Sequence, residues 1–456
     1  MSEPIVAVYG FGGTGRALLD HLIGHPPGGE IWLINDGPIT EERLVARYRE
    51  QGVRFLDGRR DFHRLKGVTT LILSPGVDAR ASRFAPLRAR GVEIVAEIEY
   101  AARQIRAGMI AITGSNGKST TVSLTHHILR QAGRKSVLAG NIGTPLIALL
   151  PQISADAEVV LELSSFQLEE IQSFHPRIAA LLNITPDHLD RYPGMAEYTD
   201  AKLALFRNQQ ADDVRVLNAD DPLTAAHLER TGAAIPLLFS RQREVRQGGF
   251  LENGVAVLRL PGGEMRVSLA QNPLAGVHNL ENILAAFLCC AAAGVEPAAM
   301  QHGLETFTGL PHRMQTVARI GPVEFINDSK ATNVDATLKS VLSIDQPLVV
   351  ILGGKDKGGD FAPLAAPLTE RAEKIILIGK AARTIADQLP GLADRIVYAQ
   401  TLADAVEKGY RILQRKRGAV LLAPACASFD MFRNYEHRGE AFATAVLELQ
   451  AREAHG

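Results

Sequence analysis

Short runs of β-branched and other apolar residues alternate with segments of helical length over almost the whole chain. This alternation predicts parallel β-sheets flanked by helices, which is an α/β fold. The predicted strands are residues 5–8, 31–35, 69–74, 109–113, 159–163, 178–184, 323–328, 348–354, 374–379 and 419–424. They separate into three blocks, which predict three domains at residues 1–105, 106–310 and 311–456.

Two segments of the second block depart from this alternation. Between residues 236 and 270, glycine-containing dipeptides punctuate short strands, which predicts an antiparallel excursion. Residues 282–295 form the most apolar stretch of the chain, but this stretch is shorter than the roughly 18 to 20 residues that a membrane span needs. We therefore expect a buried helix there and no membrane span.

The overall composition, with 46% hydrophobic and 22% charged residues among 456, is typical of a soluble globular protein. Lysine and arginine total 49 against 50 acidic residues, so the net field attracts neither nucleic acid nor an anionic membrane. The N-terminal segment lacks the basic start of a signal peptide. The 3 cysteines have neither disulfide-framework nor metal-ligand spacing. We therefore expect a cytoplasmic protein with buried free thiols and no nucleic-acid partner.

A glycine-rich loop follows the first predicted strand and opens a helix. Its candidate ligand-binding residues are Gly12, Gly13, Thr14 and Gly15. In this context glycines let the backbone approach a phosphate at a helix N-terminus. The second strand leads to Asp36, where a ribose-binding carboxylate would lie. On this motif alone, a nicotinamide or flavin site, a site for another phosphate ligand such as UDP, and simple helix–strand packing all stay open.

A second loop also lies between an apolar strand and a helix. Its candidate ATP-binding residues are Gly114, Ser115, Asn116, Gly117, Lys118, Ser119 and Thr120. Binding of a nucleoside triphosphate requires backbone amides around the phosphates, a lysine at the β/γ-phosphates and a hydroxyl for Mg²⁺. Ile112 occupies the place of the first glycine of the strict P-loop, and a chance loop containing Gly-Lys-Ser is the alternative.

The longer form of this loop, T-G-S-N-G-K-S-T, resembles the ATP loop of the Mur ligase and folylpolyglutamate synthetase family. The resemblance covers nearly the whole chain. It implies a Rossmann-like UDP-substrate domain, a central P-loop-type ATPase domain, and a Rossmann-like C-terminal domain that receives an amino acid. It also implies a reaction that activates a carboxylate as an acyl phosphate. The amine of the amino acid then attacks, which yields an amide, ADP and phosphate.

Two candidate metal ligands follow predicted strands of the second block. We expect the strands before Glu162 and His188 to be adjacent and parallel, so that both side chains reach the sheet edge of the phosphate loop. Mg²⁺ prefers oxygen ligands, so these two residues leave its shell incomplete. The resemblance implies that a carbamylated Lys202 supplies the missing anion. It assigns Ser119 and Glu162 to one Mg²⁺, and His188 with Lys202 to a second. The residues it implies for catalysis are Lys118, His188, Lys202 and Lys330.

Further segments resemble the family member that adds D-glutamate to UDP-N-acetylmuramoyl-L-alanine. Besides the first glycine loop, the positions that match its UDP-substrate site are Ser74, Pro75, Gly76 and Asn141. Besides the phosphate loop, the positions that match its ATP site are Asn282, Arg313 and Asp328, and Lys330 matches a ligand of phosphate or acyl phosphate. The positions that match its D-glutamate pocket are Thr332, Lys357, Ser428 and Tyr435. Cationic and hydroxyl donors suit a dianionic amino acid.

The chain departs from the family pattern at two places. Asn35-Asp36-Gly37-Pro38 stands where the family often has an aspartate-threonine-arginine-like stretch, and Tyr435 stands where it often has phenylalanine. Other functions stay open: a Rossmann NAD-dependent dehydrogenase, which leaves the second loop and the metal ligands unused, a non-catalytic nucleotide-binding scaffold, and a family ligase with another amino-acid specificity. From the resemblance we expect ATP, two Mg²⁺ ions and a monomer.

Overall fold

The computed structural model describes residues 3–189, 191–274 and 276–455. These residues form an α/β fold built on mostly parallel sheets, as the alternation of apolar runs predicts. No helix within these ranges combines enough length with enough apolar character to cross a membrane.

The first sheet is parallel throughout. Its strands are β1 (Ile5–Tyr9), β2 (Glu30–Asn35), β3 (Arg54–Asp57), β4 (Val68–Leu73) and β5 (Glu93–Ala96). Its helices are α1 (Gly13–Gly24), α2 (Glu42–Glu50), α3 (Ala85–Ala89) and α4 (Glu97–Ala102). The strand order is β3-β2-β1-β4-β5. The loops after β1 and β4 therefore meet at one edge of the sheet.

The second sheet is the largest. Its strands are β6 (Gly108–Thr113), β7 (Ser136–Gly140), β8 (Glu158–Glu162), β9 (Ile178–Leu181), β10 (Val214–Asn218), β11 (Ile235–Ser240), β12 (Gly248–Glu252), β13 (Val255–Leu260) and β14 (Gly263–Ser268). Its helices are α5 (Lys118–Gln131), α6 (Leu146–Leu149), α7 (Ser165–Leu168), α8 (Met195–Leu203), α9 (Pro222–Ala226), α10 (Val277–Ala292) and α11 (Pro297–Glu305). The strand order is β14-β13-β12-β11-β10-β9-β6-β8-β7.

The third sheet is parallel except for its first strand, which is antiparallel to the second. Its strands are β15 (Gln315–Ile320), β16 (Val323–Asn327), β17 (Leu348–Gly353), β18 (Ala372–Ile378), β19 (Ile396–Tyr398) and β20 (Gly418–Leu422). Its helices are α12 (Val334–Leu342), α13 (Ala365–Arg371), α14 (Ala382–Gln388), α15 (Leu402–Leu413) and α16 (Tyr435–His455). The strand order is β15-β16-β20-β17-β18-β19.

The strand order of the second sheet corrects one prediction. The strands before Glu162 and His188, β8 and β9, are not adjacent, because β6 lies between them and pairs with both. The chain runs from β6 outward to β7, returns to β8, and then crosses to β9 on the other side of β6. Such a switch point places the loop after β6 at the centre of the ligand-binding edge. Glu162 and His188 therefore flank the phosphate loop.

Other predictions about single elements have mixed outcomes. Within residues 236–270, β12, β13 and β14 pair antiparallel as predicted, but β11 pairs with β12 in parallel. The buried helix is confirmed, because residues 283–290 of α10 are fully buried. The 3 cysteines of the chain are free and buried. The strands β3, β5, β7, β10, β15 and β19 lack a counterpart in the sequence analysis, because they are short or only weakly apolar.

Candidate active site

The phosphate loop connects the end of β6 to the start of α5. Gly114 and Gly117 have φ angles of 153° and 87°, a region that favours glycine. A Cβ atom added to Gly117 would lie 2.2 Å from Oδ1 of Asn282, so a larger residue does not fit beside α10. The Nζ atom of Lys118 donates hydrogen bonds of 2.8 Å to the carbonyl oxygens of Gly114 and Ser115. The lysine is therefore folded over its own loop.

A cavity between the second and third sheets, which we call the main cavity, contains most of the expected ATP site. The expected residues that line it are Ser115, Asn116, Gly117, Lys118, Ser119, Thr120, Asn141, Glu162, His188, Asn282, Arg313, Asp328, Lys330 and Thr332. Gly114 lies behind this lining, where its carbonyl oxygen accepts hydrogen bonds from Lys118 and Lys202. Segments that are distant in sequence thus converge on the phosphate loop.

Glu162 is fully buried at the end of β8. The amide of Asn141 donates a 2.8 Å hydrogen bond to Oε1 of Glu162. Burial raises the pKa of the Glu162 carboxyl, but the charges of Lys118 and Lys330 and the Asn141 amide lower it more. Glu162 Oε2 and Ser119 Oγ are both buried, and neither has a hydrogen-bond partner of normal geometry among the described residues. The Ser119 hydroxyl also helps to lower the pKa of Glu162, so this edge of the cavity offers two neighbouring buried oxygen atoms.

His188 lies in the loop after β9 with a positive φ of 56°. Its ring meets the ring of Phe166 edge to face at a centroid distance of 4.7 Å. Burial lowers the pKa of His188 to about 4, so the imidazole is neutral at pH 7 and keeps a free lone pair. Within the described ranges, no three His, Cys, Asp or Glu side chains converge on a site able to hold a metal ion.

Lys202 is 1% exposed near the C-terminal end of α8 and lies behind the phosphate loop. Its Nζ atom donates a 2.9 Å hydrogen bond to the carbonyl oxygen of Gly114. The same atom lies 4.5 Å from the ring centroid of Tyr198. Burial lowers the pKa of Lys202 well below its usual value, and the nearby charge of Lys118 lowers it further. The site therefore destabilises the ammonium form of Lys202 relative to an exposed lysine.

The segment after β16 brings three of the expected residues, Asp328, Lys330 and Thr332, to the main cavity. Asp328 accepts a hydrogen bond from the hydroxyl of Ser340, and burial raises the pKa of its carboxyl. Burial lowers the pKa of Lys330 to about 8, and its Nζ atom lies 3.8 Å from the ring centroid of Tyr435. Tyr435 lines a smaller adjoining cavity, which it shares with Lys330 and Arg313. The ammonium group of Lys330 thus lies against the ring of Tyr435.

The other residues expected at the D-glutamate pocket are not gathered in one cavity. Thr332 lines the main cavity, whereas Lys357 forms a 2.6 Å ion pair with Asp187 at its border. This ion pair helps to lower the pKa of Asp187 to about 2, against the burial that raises it. Ser428 is 2% exposed in the loop after β20 and lies outside both this cavity and the adjoining one.

A second cavity lies beside the first sheet, and we call it the glycine-loop cavity. The expected residues that line it are Gly12, Gly13, Thr14, Ser74, Pro75, Gly76 and Asn141. Gly15 instead packs within the fold, because a Cβ atom added there would lie 1.8 Å from the carbonyl oxygen of Gly10. Asn141 lines both this cavity and the main cavity. The two cavities therefore meet at this residue.

Three polar residues that the sequence analysis did not single out connect the phosphate loop to the third sheet. Asn333 donates hydrogen bonds to Asn116 (3.2 Å) and Asp187 (3.1 Å). The amide of Asn116 in turn donates to Asp335 at 2.6 Å. Asp187 directly precedes His188, and Asn333 directly follows Thr332. Their positions beside expected site residues could have marked them as candidates in the sequence. Asp335 carries no such signal.

Comparisons with known proteins show which family the chain resembles. A family model described as Mur ligase middle domain matches residues 112–290, and one described as Mur ligase, glutamate ligase domain matches residues 312–426. A Geotalea daltonii protein named UDP-N-acetylmuramoylalanine--D-glutamate ligase is 45% identical over 392 residues, 86% of each chain. A Syntrophotalea carbinolica protein with the same name is 41% identical over 449 residues, 98% of each chain.

The chain belongs to the Mur ligase family. This Mur ligase is accordingly an ATP-dependent enzyme that forms an amide bond, which excludes the dehydrogenase and scaffold interpretations. Its fold is similar to that of MurF from Acinetobacter baumannii, with a TM-score of 0.63 at 20% identity, over 93% of this chain and 91% of that chain.

Proposed function

We propose that this Mur ligase uses ATP to join D-glutamate to UDP-N-acetylmuramoyl-L-alanine in the synthesis of peptidoglycan precursors. One observation carries the proposal: Asn141 lines both cavities. The carboxylate of a UDP-linked substrate in the glycine-loop cavity would therefore reach the phosphates of ATP in the main cavity. D-Glutamate is supported as the amino acid by relatives 45% and 41% identical, which carry it in their names.

The proposal divides the chain into three domains, each built on one sheet. Residues 1–105 would bind the UDP-linked substrate in a Rossmann-like domain, and residues 106–310 would bind ATP. Residues 311–456 would form a Rossmann-like domain that binds the amino acid. The separate sheets of five, nine and six strands support this division. We also propose the monomer that the resemblance implies, and the ATP and UDP-activated substrates suit a cytoplasmic enzyme.

Within this scheme, ATP lies along the main cavity. Asn282 would bind the adenine and Asp328 the ribose hydroxyls, while Lys118 and the loop amides bind the phosphates. Arg313 supports a role beside the nucleotide, because its Nε atom is buried and has no partner among the described residues. Lys118 would leave the two loop carbonyls that it now contacts and bind the β/γ-phosphates.

The reaction would proceed in two steps. The substrate carboxylate attacks the γ-phosphorus of ATP, which forms an acyl phosphate and releases ADP. The amine of D-glutamate then attacks the acyl carbon, loses a proton and expels phosphate. Lys118 and Lys330 would stabilise the negative charge that moves between these groups. Lys330 is mostly cationic at pH 7, since its pKa is about 8.

The residues around Glu162 fit a Mg²⁺ ion. Ser119 Oγ and Glu162 Oε2 are neighbouring buried oxygen atoms, and neither forms a hydrogen bond of normal geometry with the described residues. Mg²⁺ takes oxygen ligands of this kind. We propose one ion at Ser119 and Glu162, and a second at His188 and a carbamylated Lys202. When bound, the ions would neutralise phosphate charge and polarise the transferred phosphoryl group.

The surroundings of Lys202 support the carbamate. Burial lowers the pKa of Lys202, which makes the neutral amine easier to form than in an exposed lysine, and it is the neutral amine that attacks CO₂. A C–N bond forms, and one amine proton leaves to water. The product is an anionic carbamate, which supplies the oxygen ligand that Glu162 and His188 leave missing.

For D-glutamate, we propose Thr332, Lys357 and Ser428 as partners of the carboxylates and Tyr435 as a wall. Lys357 already binds the Asp187 carboxylate at 2.6 Å, which supports its fitness to hold a carboxylate. The incoming amino acid would compete with Asp187 for this cation. Ser428 would have to become accessible from its buried position.

The test is phosphate release with ATP, UDP-N-acetylmuramoyl-L-alanine and a panel of D-glutamate, L-glutamate, L-alanine, L-lysine and diaminopimelate. We expect that, of the amino acids in this panel, only D-glutamate supports turnover. The control is Lys118→Ala, which should lower the rate at least about a hundredfold. Turnover with another amino acid of the panel would favour a different family specificity, and a normal rate in the variant would remove the phosphate loop from the reaction.

A further inference from the structure

The glycine-loop cavity contains a cationic residue that none of the motifs includes. Arg83, in the segment before α3, lines this cavity. It is the only lysine, arginine or histidine among the described residues of the lining. A UDP-linked substrate is anionic and carries a base with carbonyl oxygens. The position of this guanidinium therefore bears on how the cavity recognises its ligand.

Contacts on several sides hold Arg83 in place. Its Nη1 atom forms a 2.8 Å ion pair with Oδ2 of Asp36. Its guanidinium lies 4.9 Å from the ring centroid of Tyr9 and 5.3 Å from that of Phe84. The Tyr9 hydroxyl donates a 2.6 Å hydrogen bond to Oδ1 of Asp36. The acid and the arginine thus form one ordered unit, which we call the Asp36–Arg83 pair.

The pair has unused hydrogen-bonding capacity. The Nε atom of Arg83 is buried and has no hydrogen-bond partner among the described residues. The side chain as a whole is 32% exposed, so the other N–H groups of the guanidinium stay accessible from the cavity. The guanidinium carries five N–H groups, and a carboxylate accepts several hydrogen bonds. The pair can therefore both donate to a ligand and accept from it.

The location of the pair favours the nucleoside end of a nucleotide. Asp36 follows β2, and in doubly wound folds the acid at this place approaches the ribose, while the glycine loop after β1 approaches the phosphates. Gly58 leaves room for the acid, because a Cβ atom added there would lie 2.3 Å from Oδ1 of Asp36. The Asp36–Arg83 pair is thus built at the end of the cavity where a base would lie.

We propose that Arg83, acting with Asp36, binds the uracil edge of the UDP-linked substrate and selects uracil over cytosine. This inference rests on the proposed function. The edge of uracil presents a carbonyl oxygen, an N–H donor and a second carbonyl oxygen, which match guanidinium donors and a carboxylate acceptor. Cytosine presents an amino donor in place of one carbonyl and an unprotonated ring nitrogen in place of the N–H. A site built to hydrogen-bond one pattern discriminates against a ligand that leaves its groups unpaired.

The experiment measures binding of UDP-N-acetylmuramoyl-L-alanine, UDP and CDP to the full chain by titration calorimetry. The variants are Arg83→Ala and Arg83→Lys. The matched control is Arg64→Ala, which removes an exposed arginine paired with Asp61 outside the cavity. Thermal unfolding of each variant checks that it is folded.

We expect the wild type and Arg64→Ala to bind UDP about tenfold or more tightly than CDP. Arg83→Ala should lose about tenfold in UDP affinity with little change for CDP, the scale of one charged hydrogen bond. Arg83→Lys should keep the charge but lose most of the discrimination, because lysine lacks the planar fork of donors.

Equal losses for UDP and CDP in Arg83→Ala would make Arg83 a phosphate ligand and overturn the inference. Full discrimination in Arg83→Lys would also overturn it, because charge alone would then suffice. If the wild type fails to bind UDP-N-acetylmuramoyl-L-alanine, the proposed function fails. If it binds and Arg83→Ala binds equally well, only the inference about Arg83 fails.

Discussion

Glu97, the first residue of α4, is a buried acid at the contact between α4 and α6. Glu97 is 2% exposed, and the backbone N–H of Ile147 donates a 2.8 Å hydrogen bond to the Oε1 atom of Glu97. Burial raises the pKa of the carboxyl to about 7, although this hydrogen bond lowers it. The side chain therefore changes charge near neutral pH, between the first and second sheets.

This pKa predicts a dependence of stability on pH. Between about 4.5 and 7 the folded state holds a proton on Glu97 that the unfolded state has lost. The contribution of this group to the free energy of unfolding is therefore full at low pH and is lost as pH rises toward 7. Glu97→Gln should be more stable than wild type at pH 8, by at most about 3 kcal/mol, and by less than about 1 kcal/mol at pH 5.

Urea unfolding of both proteins at the two pH values measures the difference. The control is Glu50→Gln at the end of α2, where the side chain is exposed and no such gain is expected. A gain for Glu97→Gln that is equal at pH 5 and pH 8 would contradict the explanation.

The carbamate at Lys202 is a second prediction about one residue. Lys202→Ala should be nearly inactive, because it removes the anionic ligand that we propose beside His188. Added acetate should restore part of the activity by occupying the vacated ligand position. Lys202→Arg should stay inactive, since arginine keeps a positive charge but does not form this carbamate. Phosphate release measures all three cases, and full activity of Lys202→Arg would mean that the site requires positive charge.

At the scale of elements, Arg191 in the loop between β9 and α8 forms hydrogen bonds with the loop that follows β4 of the first sheet. Its guanidinium donates hydrogen bonds to the carbonyl oxygens of Pro75 (3.3 Å) and Val77 (3.0 Å). It also pairs with Glu169 at 2.7 Å and lies 3.9 Å from the ring centroid of Phe166, which contacts His188. One side chain thus connects the turn at Gly76 to the loop of His188.

Arg191→Lys should therefore raise the KM for UDP-N-acetylmuramoyl-L-alanine about tenfold and change the KM for ATP little. Lysine lacks the fork of donors that spans two carbonyls and a carboxylate, so the turn loses a fixed position. Steady-state kinetics with each substrate varied in turn measures this split.

The matched control is Arg88→Ala. Arg88 also bridges the first and second sheets, through Glu170 at 2.6 Å and the carbonyl oxygen of Ala79, but it does not contact the turn. An equal rise in KM in both variants would show that general loosening of the interface, rather than the turn, is responsible.

At the scale of the whole molecule, the third sheet is held against the phosphate loop by Asp335 at the start of α12. Its carboxylate accepts hydrogen bonds from Asn116 (2.6 Å) and Thr185 (3.4 Å) and pairs with Lys339 (2.9 Å). These contacts join residues of the second and third sheets across the main cavity. How open the main cavity is therefore depends on these contacts between α12 and the phosphate loop.

Asp335→Ala should loosen this contact. Loss of a hydrogen bond of about 1 to 1.5 kcal/mol should speed amide exchange in residues 113–120 and at the start of α12 about tenfold. Asp335→Asn, which keeps one oxygen acceptor, should show a smaller change. Hydrogen exchange followed by mass spectrometry measures both. The control, Asp345→Ala, removes only an exposed ion pair with Arg371, and equal exchange in the control and Asp335→Ala would contradict the role of the contact.

The sequence alone was sufficient for the α/β class, for most strands of the parallel sheets, for the two loops and for the family. These features depend on local patterns: apolar runs with the period of a strand, glycines where a phosphate loop turns, and motifs whose residues are close in the chain. Glu162, His188 and the phosphate loop were correctly expected at one edge of a sheet, because the carboxyl ends of parallel strands share an edge.

Only the tertiary structure decided the order of the strands and the partners of individual side chains. It inserted β6 between β8 and β9, paired Lys357 with Asp187, and brought Arg83 to Asp36. It also joined Asn116 to Asp335 across 219 positions of the chain. Such contacts follow from how whole sheets pack and where their edges meet. A local pattern of residues carries no information about a partner that only this packing brings near.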